Sequence, residues 1–233
     1  MFSRSARIYD AIYTSIRDYP REAAQLAAMI EERRPGARTL LDVACGTAAH
    51  LEHLAGRYEV EGLDLDAGML AIARERLPDV TFHEADMADF ELDKRFDAVL
   101  CMFSSIGYMK TEQQLRAAVA AMGRHLEPGG VLFVEPWLAP EQWDLDHVGA
   151  LFVDQPQLKI ARLSKPERDG DLSAVEFHYL VGTPRNVDYF TERHELGLFT
   201  IEQHLDAFRA AGLEVEHDPE GPMGRGLYVG TRS

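Results

Sequence analysis

Cysteine is scarce in this sequence, with only Cys45 and Cys101 among 233 residues. The two are far apart in the chain and belong to no paired-cysteine spacing, so neither a zinc motif nor a disulfide framework is indicated. A chain of this length buries about three-quarters of its unfolded surface on folding and does not depend on cross-links for stability. We therefore expect no metal site and no structural disulfide.

Basic residues are also few, because 24 Lys and Arg stand against 39 Asp and Glu, for a net charge of -15 at pH 7. An acidic surface of this kind repels polyphosphate chains and disfavours DNA or RNA as a partner. Any anionic substrate must then be held by a small number of local arginines.

Long apolar runs are missing as well, since no stretch approaches the ~18 residues that span a bilayer. The amino terminus, M-F-S-R-S-A-R-I-Y-D, lacks the hydrophobic core of a signal peptide. We expect a cytoplasmic protein without membrane contact. The sequence also lacks internal repeats and low-complexity linkers, which favours a single domain over residues 1–233.

The most informative stretch is residues 39–50, T-L-L-D-V-A-C-G-T-A-A-H. A short apolar run ends in Ala44 and Gly46, and apolar residues then recur at helical spacing. This pattern predicts a strand, a tight glycine turn and a helix whose first amide groups face a nucleotide-like ligand. An ordinary tight connection between a strand and a helix gives the same pattern, so the motif alone leaves both interpretations open.

Three acids at predicted strand ends favour the ligand interpretation. Asp64 ends the second strand and suits a ribose diol, because each carboxylate oxygen can accept one hydroxyl proton. Asp86 follows the third strand, where an acid suits an adenine amino group, and Asp42 lies two residues before the turn. S-adenosylmethionine offers an amine, a diol and a sulfonium but no phosphate to repel these acids. The sequence therefore predicts a methyl-donor site, and an acid at Asp86 disfavours a dehydrogenase.

Strands and helices alternate as far as Pro136, which implies a parallel sheet with right-handed crossovers. The last two strands, residues 213–216 and 227–231, have no helix between them, so the final strand is antiparallel. We predict an α/β fold of the Rossmann-like class I methyltransferase type, with seven mostly parallel strands. Residues 127–130 are predicted as a turn, and residues 111–114 and 200–203 as capping boxes of two helices.

Residues 138–199 interrupt the alternation with short antiparallel ribbons. An insertion at this point covers the carboxyl ends of the strands, where loops determine substrate choice. Its histidines, His178 and His194, are candidates for a proton relay, although hydrogen bonding within the ribbons is the simpler role for both. Residues 3–13 are predicted as a helix that either packs on the body or closes over the cofactor.

Several motifs together resemble one family, the TDP-3-amino-deoxysugar N,N-dimethyltransferases that act on desosamine- and mycaminose-type sugars of macrolide antibiotics. They are L-L-D-V-A-C-G-T, H-L-E-H-L, G-L-D-L, D-M-A-D-F, C-M-F-S-S-I-G-Y, H-L-E-P-G-G-V, V-E-P-W, F-H-Y-L-V and G-R-G-L-Y-V-G. The resemblance runs from about Tyr9 to Gly230 and is weakest across residues 138–170.

The resemblance implies a site for S-adenosylmethionine, with Asp64 at the ribose, Asp86 and Met87 at the adenine, and Ala44 and Gly46 at the methionine part. The other residues assigned to the cofactor are Tyr9, Arg17, Asp42, Leu65, Met69 and Met102. The residues assigned to the nucleotide-sugar are Tyr19, Trp137, Arg162 and Arg225, with Tyr108 beside the amino group.

Two positions depart from the family pattern. Ala48 stands where the family usually has glycine, and a methyl group there is compatible with the start of a helix. An aromatic residue that some relatives supply from a longer amino-terminal arm has no counterpart here unless Phe2 serves.

Three functions compete: an N-methyltransferase for a TDP-linked amino sugar, a methyltransferase for another amine or hydroxyl, and a non-catalytic domain that binds S-adenosylmethionine as a regulator. A homodimer is possible. In the first function Tyr108 orients the amine, and the phosphates are bound by Arg225, whose flanking glycines let the backbone approach an anion.

Overall fold

The computed structural model describes residues 5–222 and 224–233, which form two sheets, six α-helices and one 3₁₀ helix at Ser105–Tyr108. Phe2 lies outside the described residues, and so does the prediction that it supplies the amino-terminal aromatic residue. The helices are α1 Ala6–Tyr13, α2 Tyr19–Arg33, α3 Ala49–Leu54, α4 Ala67–Arg76, α5 Glu112–Arg124 and α6 Ile201–Ala210. The strands of the larger sheet are β1 Thr39–Val43, β2 Glu59–Asp64, β3 Thr81–Glu84, β4 Phe96–Cys101, β5 Leu126–Val134, β10 Leu213–Asp218 and β11 Leu227–Arg232.

The seven-stranded sheet has the order β10-β11-β5-β4-β1-β2-β3, and β11 runs antiparallel to both of its neighbours. The predicted fold class is therefore confirmed. The central strand β4 contributes Val99 to the core on one face and Ala98 and Leu100 to the core on the other. A strand covered on both faces needs this continuous apolar sequence.

The second sheet has four antiparallel strands in the order β6-β7-β8-β9. These are β6 Gly149–Gln155, β7 Leu158–Asp169, β8 Leu172–Gly182 and β9 Val187–Gly197. The sequence analysis missed β6. Its run A-L-F-V is apolar throughout and does not alternate with polar residues, because the exposed position is occupied by Phe152 beside the buried Val153. One face of this sheet packs against α1 through Tyr179 and Val181, beside Tyr9 and Tyr13.

Two local predictions were wrong. Residues 127–130, predicted as a turn, lie within β5. They form an irregularity in the pairing of β4 with β5, between the pairs Phe96–Leu126 and Ala98–Val131. The predicted capping box at the start of α5 is only half formed. Thr111 Oγ1 accepts from Gln114 N at 3.2 Å, but the Gln114 side chain accepts from Lys110 N and not from Thr111 N. The full reciprocal box forms at α6, where Thr200 and Gln203 each accept from the backbone of the other.

None of the helices in the described part of the chain has the length and hydropathy needed to cross a bilayer.

Candidate active site

The site begins at the loop that joins β1 to α3. Ala44, Gly46 and Ala48 all have positive φ, at 59°, 56° and 62°. Ala48 stands at the start of α3, where a methyl group was expected to be compatible, but its backbone is left-handed. This conformation favours glycine because it places Cβ close to the carbonyl oxygen. The family's usual glycine at this position therefore has a conformational reason.

Asp64 is held at the end of β2 by backbone amides. Gly46 N donates to its Oδ2 and Asp66 N to its Oδ1, both at 2.8 Å. Burial raises the pKa of the Asp64 carboxyl, and the two amide hydrogen bonds oppose that rise. Each oxygen keeps a second lone pair for an external donor, as a ribose diol requires.

Asp42 lies deeper, at the floor of a narrow cavity of about 30 Å³ that Gly46 and Met102 also line. Burial, followed by repulsion from Asp64, raises the pKa of Asp42 to about 8. A buried carboxyl of this kind is stabilised as an anion by a cation placed beside it. The amine of S-adenosylmethionine is a cation of suitable charge and size.

A larger cavity of about 280 Å³ opens from the same loop. Its lining carries the acids Asp64, Asp66, Asp86 and Glu195 together with apolar side chains. The residues predicted for the cofactor that line it are Tyr9, Ala44, Gly46, Asp64, Leu65, Met69, Asp86 and Met87. The two cations in the lining, Lys110 and Arg193, are each paired with Glu195, at 2.6 and 3.2 Å. Within the described residues, Asp64 and Asp86 carry no such pair and suit the diol and adenine of S-adenosylmethionine, so these residues fit that ligand.

An adjacent cavity of about 390 Å³ is lined by arginines and aromatic rings. Arg162 lies over the Phe177 ring at 4.7 Å and donates to Tyr13 Oη at 3.2 Å. Arg225 lies over the Trp137 ring at 5.3 Å and donates to Ser104 Oγ at 3.1 Å. These cations suit an anionic ligand with a planar base.

Tyr108 lines both of the larger cavities and so stands at the boundary between them. Its hydroxyl lies 2.8 Å from Nδ1 of His194. Burial raises the pKa of Tyr108 above its ordinary value, so the phenol stays protonated at neutral pH. Burial also lowers the pKa of His194 to about 4, so the imidazole is neutral at pH 7.

Comparisons with known proteins agree with this geometry. Residues 40–130 match the family model described as a methyltransferase domain. The dTDP-3-amino-3,6-dideoxy-alpha-D-glucopyranose N,N-dimethyltransferase of Streptomyces fradiae is 48% identical over 97% of this chain and 89% of its own length. The crystal structure of DesVI from Streptomyces venezuelae superposes with a TM-score of 0.94, at 45% identity over 98% of both chains. The chain belongs to the family of S-adenosylmethionine-dependent sugar N,N-dimethyltransferases.

A second relative supports the cofactor assignment for this methyltransferase. The structure of CalS10, an amino pentose methyltransferase from Micromonospora echinaspora with S-adenosylmethionine bound, has a TM-score of 0.89 and 43% identity over 97% of both chains. Within residues 5–222 and 224–233, no three His, Cys, Asp or Glu side chains are grouped as metal ligands.

Three of the predicted site residues lie elsewhere in the methyltransferase than expected. Arg17, assigned to the cofactor, lies at the arginine-lined cavity, over the Phe103 ring at 4.4 Å. Tyr19, assigned to the sugar, lines the narrow cavity with its ring edge-on to His50. His178 lines none of the three cavities and lies on the opposite face of β8 from Phe177, because side chains alternate along a strand.

The sequence analysis also missed residues that hold the site together. Glu22 accepts from Arg17 at 2.8 Å and contacts His50 Nε2 at 2.9 Å. Glu135 is fully buried and accepts from Phe103 N at 2.7 Å. An acid between apolar residues in V-E-P-W was the available signal for Glu135. The Glu22 contact with His50 joins α2 to α3 across 28 residues of chain and has no local signature.

Proposed function

We propose that this methyltransferase dimethylates the amino group of a TDP-linked amino-deoxysugar. The observation that carries the proposal is the cluster of Arg17, Arg162 and Arg225 around one cavity in a protein of net charge -15. A diphosphate requires such a local cluster of cations, and the arginine guanidinium binds phosphate oxygens in pairs. Tyr108 then lies between the proposed cofactor and acceptor cavities, where the reacting nitrogen belongs.

In this proposal S-adenosylmethionine supplies a methyl group on a sulfonium, and the amine lone pair forms the N–C bond while the C–S bonding pair passes to sulfur. The protein's main task is to align the amine, because orientation replaces a strong catalyst in a displacement of this kind. Tyr108 orients the amine, and α1 covers the cavities with Tyr9 and Tyr13 and excludes water.

Methyl transfer to another amine or to a hydroxyl is the second candidate, since Asp64 and Asp42 are equally compatible with it. Such an acceptor would gain nothing from the arginine cluster. A regulator that binds S-adenosylmethionine without turnover is the third candidate, and formation of S-adenosylhomocysteine with any acceptor eliminates it.

The arginine cluster gives the direct test. Arg225→Ala should raise the KM for the TDP-sugar by about ten- to a hundredfold, because a hydrogen bond to a charged group contributes ~1.5–3 kcal/mol. The affinity for S-adenosylmethionine should not change. Arg116→Ala, on the exposed face of α5, is the control. Equal loss of both affinities in Arg225→Ala would show that Arg225 is structural and that the diphosphate is misplaced.

The proposal extends to the wider organisation of the protein. We infer one domain in which residues 138–199 cover the acceptor cavity, supported by Arg162, Phe177 and His194 on its lining. We also propose a homodimer through the outer face of the second sheet, where Phe152 on β6, Leu180 on β8 and Val187 on β9 are exposed. Sedimentation that finds monomeric wild-type protein would contradict the dimer. The cytoplasmic location remains a prediction.

A further inference from the structure

A buried chain of polar groups connects Tyr108 to the start of α1. The Tyr108 hydroxyl lies 2.8 Å from His194 Nδ1, and Nε2 of the same ring lies 3.8 Å from Glu192 Oε2. Glu192 accepts from Ser5 N at 3.1 Å and from Ser5 Oγ at 2.6 Å. Ser5 precedes the helix that carries Tyr9 and Tyr13 over the cavities.

The surroundings of His194 determine which of its nitrogens carries the proton. The neutral ring has one N–H, because burial lowers its pKa to about 4. The Glu192 carboxylate lies 3.8 Å from Nε2, beyond hydrogen-bond distance, and its negative charge favours the proton on Nε2, which leaves Nδ1 as an acceptor. Tyr108 must then donate its hydroxyl hydrogen to Nδ1.

The direction of that hydrogen bond matters for methyl transfer. A hydroxyl that donated to the amine would occupy the lone pair that has to reach the methyl carbon. A hydroxyl whose hydrogen is already given to His194 presents only oxygen lone pairs, which accept an N–H of the amine and leave the nitrogen lone pair free.

We propose, resting on the proposed function, that Glu192 and His194 are positioning residues that hold the Tyr108 hydroxyl as a hydrogen-bond acceptor for the substrate amine. The arrangement serves both transfers, because the neutral secondary amine still has one N–H. The neutral tertiary amine has none, so the contact is lost when the second methyl group is in place.

The first measurement needs no substitution. The ¹⁵N spectrum of the histidine-labelled wild-type protein should show His194 protonated at Nε2 and unprotonated at Nδ1. A proton on Nδ1 would overturn the proposal. Glu192→Gln should shift the population towards Nδ1–H, because the amide can turn a donor towards Nε2. Glu176→Gln is the matched control, since Glu176 and Tyr189 flank His178 in the same way on the outer face of the sheet.

The second measurement is a double-mutant cycle on turnover with a TDP-amino sugar. Glu192→Gln and His194→Leu should each lower kcat about ten- to a hundredfold through misplacement of the amine, with little change in KM or in S-adenosylmethionine affinity. In a Tyr108→Phe background, His194→Leu should lower kcat less than about twofold further. If the kcat losses of Tyr108→Phe and His194→Leu multiply in the double variant, the proposal is overturned. If wild-type protein methylates no TDP-amino sugar, the proposed function fails, while the protonation state of His194 is still decided by the spectrum.

Discussion

Individual acids determine what the cofactor cavities can bind. Asp64 uses one lone pair of each oxygen on the amides of Gly46 and Asp66, so the protein itself fixes the plane of the carboxylate. Asp42 is buried nearby and carries a raised pKa. The Asp64 carboxylate is therefore oriented to accept from a diol, and the buried Asp42 carboxyl favours a cation beside it.

Replacing Asp64 tests the first of these roles. Asp64→Ala should weaken binding of S-adenosylmethionine by roughly 1.5–3 kcal/mol, the range for hydrogen bonds to a charged group. Calorimetric titration measures it, with the exposed Asp79→Ala as control. Unchanged affinity would mean that the ribose lies elsewhere.

Asp42 gives a prediction about pH. With a pKa of about 8, the free protein holds this carboxyl mostly protonated at pH 7. An ammonium group placed beside it favours the carboxylate and lowers that pKa, so binding releases up to about one proton. Affinity should therefore rise with pH between about 6 and 7.5. Calorimetry at pH 7 in buffers of different ionisation enthalpy should detect the proton released on binding. Asp42→Asn should abolish this proton release. Equal apparent enthalpies for wild-type protein would place the ammonium away from Asp42.

Among the elements, α1 is the one that contacts both the cofactor loop and the second sheet. Its Asp10 accepts from Thr47 Oγ1 at 2.7 Å, in the loop before α3, and from Arg76 Nη2 at 2.5 Å, at the end of α4. These contacts hold α1 onto the cofactor loop, and its apolar residues pack against the second sheet.

Loosening this contact should speed cofactor release. Asp10→Ala should raise the dissociation rate of S-adenosylmethionine by about tenfold, as expected for the loss of ~1–2 kcal/mol of hydrogen bonding. A chase experiment with excess unlabelled ligand measures the rate. Glu52→Ala is the matched control, because Glu52 pairs with Arg76 but is not part of α1. Identical rates for the two variants would exclude α1 as the barrier to release.

The helices and strands also show which parts of the fold and of the site could be predicted from the sequence. The ends of β1 and β2 were predictable, because apolar runs and turn residues are local signals and parallel strands place their ends together. The choice between His178 and His194 was not predictable, since their faces depend on the register of β8 against β9, in which Val175 pairs with His194. The contact of Glu22 with His50 likewise depends on the packing of α2 against α3.

On the scale of the whole molecule, charge is the organising feature. A protein of net charge -15 gathers Arg17, Arg162 and Arg225 around one cavity, next to a cavity in which four acids outnumber Lys110 and Arg193. The acidic side suits a cationic methyl donor, and the basic side suits an anionic acceptor. Tyr108 lines both cavities, which is why the proposed reaction belongs at that boundary.

The most direct measurement is mass spectrometry of TDP-3-amino- and TDP-4-amino-deoxysugars after incubation with the protein and S-adenosylmethionine. At least one of these sugars should gain one and then two methyl masses, with one S-adenosylhomocysteine formed for each methyl group. The matching sugar with a hydroxyl in place of the amine should stay unchanged. If no amino sugar gains mass although S-adenosylmethionine binds, or if an amine without a diphosphate reacts as efficiently, the assignment of the arginine-lined cavity to a nucleotide-sugar is contradicted.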